Sequence, residues 1–160
     1  GSATLWASKA RAAGDPLPFD VLVANRFTVA VPPSDPDTWV LVDTPPSQSD
    51  LIAAAVDAST LVVLVSTPGG LDLDRMWETS QAIDRPSSVL LTQVRANTVA
   101  LRRAERYLIE QGLARFDAMI PFRESIRRSS ESGRLPNASG YGLVAHELIE
   151  AFAGLEQGRM

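Results

Sequence analysis

The sequence predicts an α/β protein built on a doubly wound, mainly parallel sheet. Strand-like and helix-like stretches alternate along nearly the whole chain, which is the pattern of parallel βαβ units. Residues 60–65, Thr-Leu-Val-Val-Leu-Val, form a continuous apolar run rich in β-branched side chains, as a strand buried on both faces requires. Proline or glycine punctuates the strand ends, at Pro45-Pro46, at Pro68-Gly69-Gly70 and at Pro121.

The elements follow in order. Residues 3–13 read as a helix by propensity, ended by Gly14, Asp15, Pro16 and Pro18. Phe19 to Val23 is a short strand, and Phe27 to Val31 is a candidate for another. Residues 38–42 end in an apolar run, Trp39 to Val42, that reads as a buried strand delivering Asp43 at its C-terminal end. Ser47 to Asp57 suits a helix, with Ser47 or Ser49 as cap and Leu51, Ile52, Ala55 and Val56 facing inward. After the 60–65 strand, Leu73, Met76, Trp77 and Ser80 recur at helical spacing. Ser87 to Val94 is the next strand, and Thr98 to Gln111 is a helix closed by Gly112. Asp117 to Ile120 is a short strand stopped by Pro121. Two helices follow, near 123–132 and 140–153, separated by Gly133 to Pro136.

The 160 residues suit one domain with a sizeable core. With no cysteine, disulfide scaffolds, zinc–thiolate sites and cysteine nucleophiles are excluded. No apolar run reaches the ~18–20 residues that span a bilayer. The net charge of −4 hides an asymmetry. Residues 95–134 hold nine arginines against five acids, whereas residues 1–94 hold five basic and eleven acidic side chains. Two readings of the arginine block stand open: a solvated helix face laced with ion pairs, or a surface for phosphate, which arginine suits geometrically.

Little else could carry chemistry. His146 sits inside the last helix with no nucleophile motif to support a triad. No Gly-x-Gly-x-x-Gly follows a strand. Asp72 and Asp74 fall in the first turn of a predicted helix, where the dipole accounts for them. What remains is Asp43 before its rigid Thr44-Pro45-Pro46 turn, the strand end at Thr92-Gln93, and the turn at Pro121-Phe122. In a parallel sheet all three lie on the carboxyl edge, where ligands bind. An acid there suits a metal ion or its water; it equally suits the start of a turn.

Trp39-Val-Leu-Val-Asp-Thr-Pro-Pro-Ser47 resembles the Walker B and switch II segment of the ParA-type partition ATPases, a deviant-Walker branch of P-loop NTPases that also includes MinD. The resemblance continues through Leu90-Leu-Thr-Gln-Val94, Asn97-Thr98, Glu110-Gln-Gly112 and Met119-Ile-Pro121, and reaches the Gly-x-x-Pro at 133–136. Gly1 to Trp6 resembles the residues just after switch I. The resemblance thus implies a single P-loop NTPase-like domain over 1–160, truncated before the switch I helix and lacking the N-terminal P-loop part.

The roles it implies are specific. Asp43 would bind Mg²⁺ and help position the hydrolytic water, and Thr44, Pro45 and Pro46 would sense the γ-phosphate. Pro121 and Phe122 would contact adenine, with Thr92 and Gln93 beside the base. Arg102, Arg103, Arg106, Arg127 and Arg128 would meet DNA phosphates without sequence preference. The implied cofactors are ATP or ADP and Mg²⁺. The implied partners are DNA, a second copy of the chain and a ParB-like activator; the location is cytoplasmic and nucleoid-associated. The implied function is plasmid or chromosome partition by ATP-gated dimerisation and DNA binding. One departure is large: no Gly-Lys pair occurs, and Lys9 is the only lysine. The expectation is therefore an ATPase in full-length form that is inactive as these 160 residues. Two alternatives stand beside it. One is a MinD-like positioning ATPase, against which residues 152–160 offer no basic amphipathic helix. The other is a non-catalytic interaction module.

Overall fold

A computed structural model describes residues 2–33, 35, 37–45 and 48–157. Ser47, Pro46 and Gly1 lie outside them. The chain divides into two compact units, Gly1–Thr60 with Arg128–Arg134, and Leu61–Arg127 with Leu135–Met160.

The first unit holds α1 (Ser2–Ala12), α2 (Ser49–Ala58) and the last turn of α5 (Glu124–Ser132). Its best-built part joins α1 to residues 128–134. Ala10 is fully buried. Trp6 Nε1 donates to the Gly133 carbonyl, and Lys9 Nζ donates to the Ser130 carbonyl at 2.7 Å. Arg134 pairs with Asp15 at 2.6 Å. Gly133, at φ +75°, ends α5 against the α1 backbone; a Cβ there would stand 2.6 Å from the Ala10 nitrogen. On α2, Ala55 is buried and Leu51, Ile52 and Val56 are half-buried, the face that the spacing predicts. Its first residue follows Gln48, which makes no side-chain cap; Ser49 lies inside the helix.

Residues 19–23, 27–31 and 38–42 differ from expectation: among the described residues none forms a strand. At 27–31 the cause is local. The Asn25 carboxamide oxygen accepts from the Phe27 and Thr28 N–H groups, and Val29 N–H reaches the Asn25 carbonyl, so the chain turns. At 38–42 no strand ladder forms among the described residues, and an extended run gains strand character only by pairing. Trp39 is 51% exposed and Leu41 83%.

The second unit is the layered one. β1 (Val62–Ser66) pairs in parallel with β2 (Ser87–Leu91), from Val62 opposite Ser87 to Ser66 opposite Leu91. α3 (Gly70–Gln81) is the crossover between them. α4 (Val99–Glu110) follows β2, capped by the Thr98 hydroxyl, which accepts from Leu101 N–H at 3.2 Å. The expected strand at 117–120 appears as an interrupted third parallel rung. Residues 115 and 121 bridge to Val89 and Val94, and Phe116 N–H and Ile120 N–H donate to Val89 and Leu91. The interruption falls at Asp117 and Ala118, whose N–H groups turn to the Glu147 carboxylate of α6 (Tyr141–Gln157), at 2.9 and 2.6 Å.

β2 carries the core on both faces. Val89 and Leu91 pack with Leu64, Leu73, Met76, Ala104 and Leu108 from β1, α3 and α4. Leu90 packs with Phe116, Ala118, Ile120 and Val144 towards α6. A strand between helical layers is what a doubly wound sheet would contain. The observed ladder is two strands wide. β1, expected to be buried on both faces, alternates instead: Leu64 and Ser66 are buried while Val63 and Val65 are exposed.

Half-buried Tyr107 on α4 faces Asp74 and Glu78 of α3. Its hydroxyl is held above the ordinary value of 10.0, first by desolvation, then by the charge and hydrogen bond of Asp74, then by Glu78. The folded state keeps this proton more tightly than the unfolded chain. Stability is therefore unaffected by this group below pH 10 and falls as pH rises from there through the raised value. Urea midpoints at pH 9 and 11 should fall less steeply for Tyr107→Phe than for the parent; equal slopes would refute the assignment.

Candidate functional site

In the second unit the ends of β1, β2 and the third rung bring Ser66-Thr67, Thr92-Gln93 and Pro121-Phe122 to one edge. Thr92 N–H donates to the Ser66 carbonyl at 2.8 Å, and the Thr92 hydroxyl reaches the same oxygen at 3.3 Å. Val94 N–H donates to Ile120 at 3.0 Å, and Phe122 N–H to Val94 at 2.8 Å. Pro121, with no N–H to give, fits this rung without a lost bond. Gln93 takes φ +54°, a left-handed backbone uncommon for a side chain of its kind. Such outliers concentrate at binding sites.

An open cavity of about 400 Å³ lies at this edge, lined among others by Ser66, Thr67, Asp72, Arg75, Thr92 and Gln93. The Thr67 hydroxyl donates to Asp72 Oδ2 and accepts from Gly69 N–H at 3.2 Å, so it orders the loop that starts α3. Thr92 and Gln93 were expected at such a site; Thr67, Asp72 and Arg75 were not. The signal available was the Thr67-Pro-Gly-Gly-Leu-Asp72 spacing, which sets a hydroxyl against a first-turn acid. Its dipole reading explains why Asp72 favours the helix but not what its oxygen holds.

Arg95 is a second residue that motif reading passed over. Its guanidinium carbon lies 4.5 Å from the centroid of the Phe122 ring, and Phe122 is 44% exposed. Asn97 at φ +62° and the Thr98 hydroxyl, which donates to the Arg95 carbonyl at 2.9 Å, hold the loop between β2 and α4.

Asp43 belongs to the first unit. It is exposed, and its Oδ2 accepts from the Ser2 hydroxyl at 3.0 Å. Thr44 is exposed and Pro45 half-buried; Pro46 lies outside the described residues. Among the described residues no three His, Cys, Asp or Glu side chains converge to hold a metal. One carboxylate beside a hydroxyl nevertheless matches the donors of Mg²⁺, which keeps several waters and uses one or two carboxylates plus phosphate oxygens.

The arginine block divides. Arg115 lies 3.8 Å from both Glu105 and Asp117, Arg123 donates to the Ala138 carbonyl at 2.8 Å, and Arg127 pairs with Glu124 at 3.2 Å. Arg115 and Arg123 tie separate segments together, whereas the Arg127 pair lies within one turn of α5 and is exposed. Arg128 is exposed on α5, and its side chain or backbone is engaged in contacts. Arg102, Arg103 and Arg106 are exposed on α4; Arg102 reaches the Asn97 carbonyl at 3.5 Å, and Arg103 and Arg106 make no ion pair among the described residues. Spacings of three and four put Arg106 on the same helix face as the other two.

Among the described residues, no helix is long and apolar enough to cross a membrane. No family model matches the chain. The chain is similar to the protein named maintenance of carboxysome distribution protein A from Gloeobacter kilaueensis, 33% identical over 141 residues. The match takes in 83% of this chain and 64% of that protein, so the chain spans somewhat less than two thirds of its length. Together with the Trp39–Ser47 segment, this similarity supports kinship with the ParA/MinD-like positioning ATPases, at that general level.

Proposed function

We infer that this chain is part of an ATP-dependent partition or positioning protein that binds DNA without sequence preference and pairs with a second copy when ATP is bound. The observation that carries the reading is the match over 83% of the chain to a protein that, by its name, maintains carboxysome distribution. That name favours a protein assembly as cargo over a plasmid. Support also comes from the strand-end edge, where Thr92 and Gln93 line an open cavity and the exposed Phe122 ring stands on the neighbouring rung.

In this reading the base lies against Pro121 and Phe122, with Thr92 and Gln93 at its rim. In the first unit Asp43 would hold a Mg²⁺ ion through water, and the ion would supply charge neutralisation at phosphate oxygens. Thr44 to Pro46 respond to the terminal phosphate. These 160 residues contain no Gly-Lys pair, and Lys9 is spent on the Ser130 carbonyl, so no lysine here grips phosphate. They should show no ATP turnover in a phosphate-release assay; measured turnover would refute that part.

DNA contact is assigned to Arg102, Arg103 and Arg106, with Arg127 and Arg128 as a second group. Salt-dependent retention on DNA-cellulose tests it. Reversing the three α4 charges to Glu should lower the slope of log affinity against log salt by roughly one unit per lost phosphate contact. Retention unchanged by reversal of either group would remove DNA from the reading.

A further inference from the structure

We propose that Arg95 is a base-recognition residue, its guanidinium and the Phe122 ring forming one stacking platform for the purine of the nucleotide. The proposal rests on the nucleotide reading of the strand-end edge and adds to it a residue, and a mode of contact, that the motifs do not supply.

Two backbone bonds, Val94 N–H to Ile120 and Phe122 N–H to Val94, lock the neighbouring strand ends in register, so residues 95 and 122 emerge side by side. The loop carrying Arg95 cannot drift, because Thr98 both caps α4 and binds the Arg95 carbonyl. The guanidinium then rests over the ring at 4.5 Å. Other arginines nearby have carboxylate partners, as Arg115 and Arg127 do. Arg95 is exposed and makes no ion pair among the described residues. Its charge faces only a ring quadrupole, and its N–H donors are unspent.

A planar cation on an exposed aromatic face serves poorly as a fold brace: it buries little and holds no second element by hydrogen bonds. It serves well as a recognition surface. Bases stack on aromatic rings and on guanidinium planes alike, and arginine donors match the ring nitrogens of a purine edge. The Phe122 ring, exposed on its own, gains a defined orientation from the cation above it.

The test uses adenosine, which lacks phosphates, and tripolyphosphate, which lacks a base, each titrated by NMR into the parent chain, Arg95→Ala, Arg95→Lys, Phe122→Ala and the double Ala variant. The expected result is weaker adenosine binding by on the order of tenfold in each single Ala variant. Arg95→Lys should fall between, keeping charge without the plane. The double variant should lose little more than either single, since the two side chains act as one platform. Tripolyphosphate binding should be equal throughout. If Arg95→Ala binds adenosine as the parent does, the proposal fails while the nucleotide reading stands. If it loses tripolyphosphate and keeps adenosine, Arg95 is a phosphate residue and the proposal likewise fails. If the parent binds neither adenosine nor tripolyphosphate, the nucleotide reading itself falls, and the proposal with it.

Discussion

Gly133→Ala should destabilise the chain by about 3 kcal/mol and lower its melting temperature by roughly 10 °C. Two penalties combine. At φ +75° any side chain strains the backbone, which costs about 1 kcal/mol. The added Cβ would also stand 2.6 Å from the Ala10 nitrogen and 2.9 Å from its Cα and Cβ. Ala10 is fully buried in the last turn of α1, so relief requires moving a helix backbone rather than rotating a side chain. Overpacking of that kind costs about 1–3 kcal/mol. The loss should also be local. Hydrogen exchange should show α1 and residues 128–134 losing protection while β2 keeps it, because the strand's core contacts are made in the second unit. Gly140→Ala is the control. Its φ is +93°, but the nearest atom to its Cβ is the Met119 oxygen at 3.0 Å, so it should cost less. An unchanged melting temperature in Gly133→Ala would refute the close approach of α1.

Glu147→Ala should cost about 2 kcal/mol, and Glu147→Gln nearly as much. The carboxylate accepts from two consecutive backbone N–H groups, Asp117 at 2.9 Å and Ala118 at 2.6 Å. Hydrogen bonds to a charged acceptor contribute about 1.5–3 kcal/mol each when buried. Here the two differ. Asp117 is exposed, so water replaces the lost partner; Ala118 is buried, and its N–H would be left unsatisfied. A carboxamide has one acceptor oxygen, and its NH₂ would face the second N–H, so the conservative change should rescue little. The affected rung continues into Pro121 and Phe122. Chemical shifts of Phe122 should therefore move in both variants. A Glu147→Gln protein as stable as the parent would show that only one of the two bonds matters.

Much of the second unit was legible in the sequence because its signals are local and agree with one another. The apolar run at 60–65, the punctuation at Pro68 to Gly70, the helical spacing after it and the Thr98 cap each predict an element that is present, within a few residues. The site was legible in part for the same reason. Thr92-Gln93 and Pro121-Phe122 are strand-end positions, and strand ends follow from strand boundaries. Thr67, Asp72 and Arg75 were not legible, since what gathers them is a cavity between β1 and α3. Nor was Arg95, whose partner lies 27 positions away in sequence. In the first unit the signals misled. Residues 27–31 have strand composition, yet the Asn25 side chain captures two backbone N–H groups and turns the chain.

The sequence by itself determined helix and strand propensity, the order of the elements in the second unit, the arginine excess over residues 95–134 and the lack of any Gly-Lys pair. Each depends only on neighbours within a turn of helix or a few residues of strand. Tertiary structure alone decided three further things. Among the described residues it built no strand at 38–42. It broke the third rung at Asp117 and Ala118 by offering a Glu147 carboxylate instead of a strand. It also gave Arg115 and Arg123 partners on other segments, and left Arg103 and Arg106 exposed with no ion pair among the described residues. These outcomes depend on which backbone groups and charges meet across long sequence separations. A hydrogen bond or an ion pair forms only where packing brings both partners within about 3–4 Å, and no local pattern encodes that.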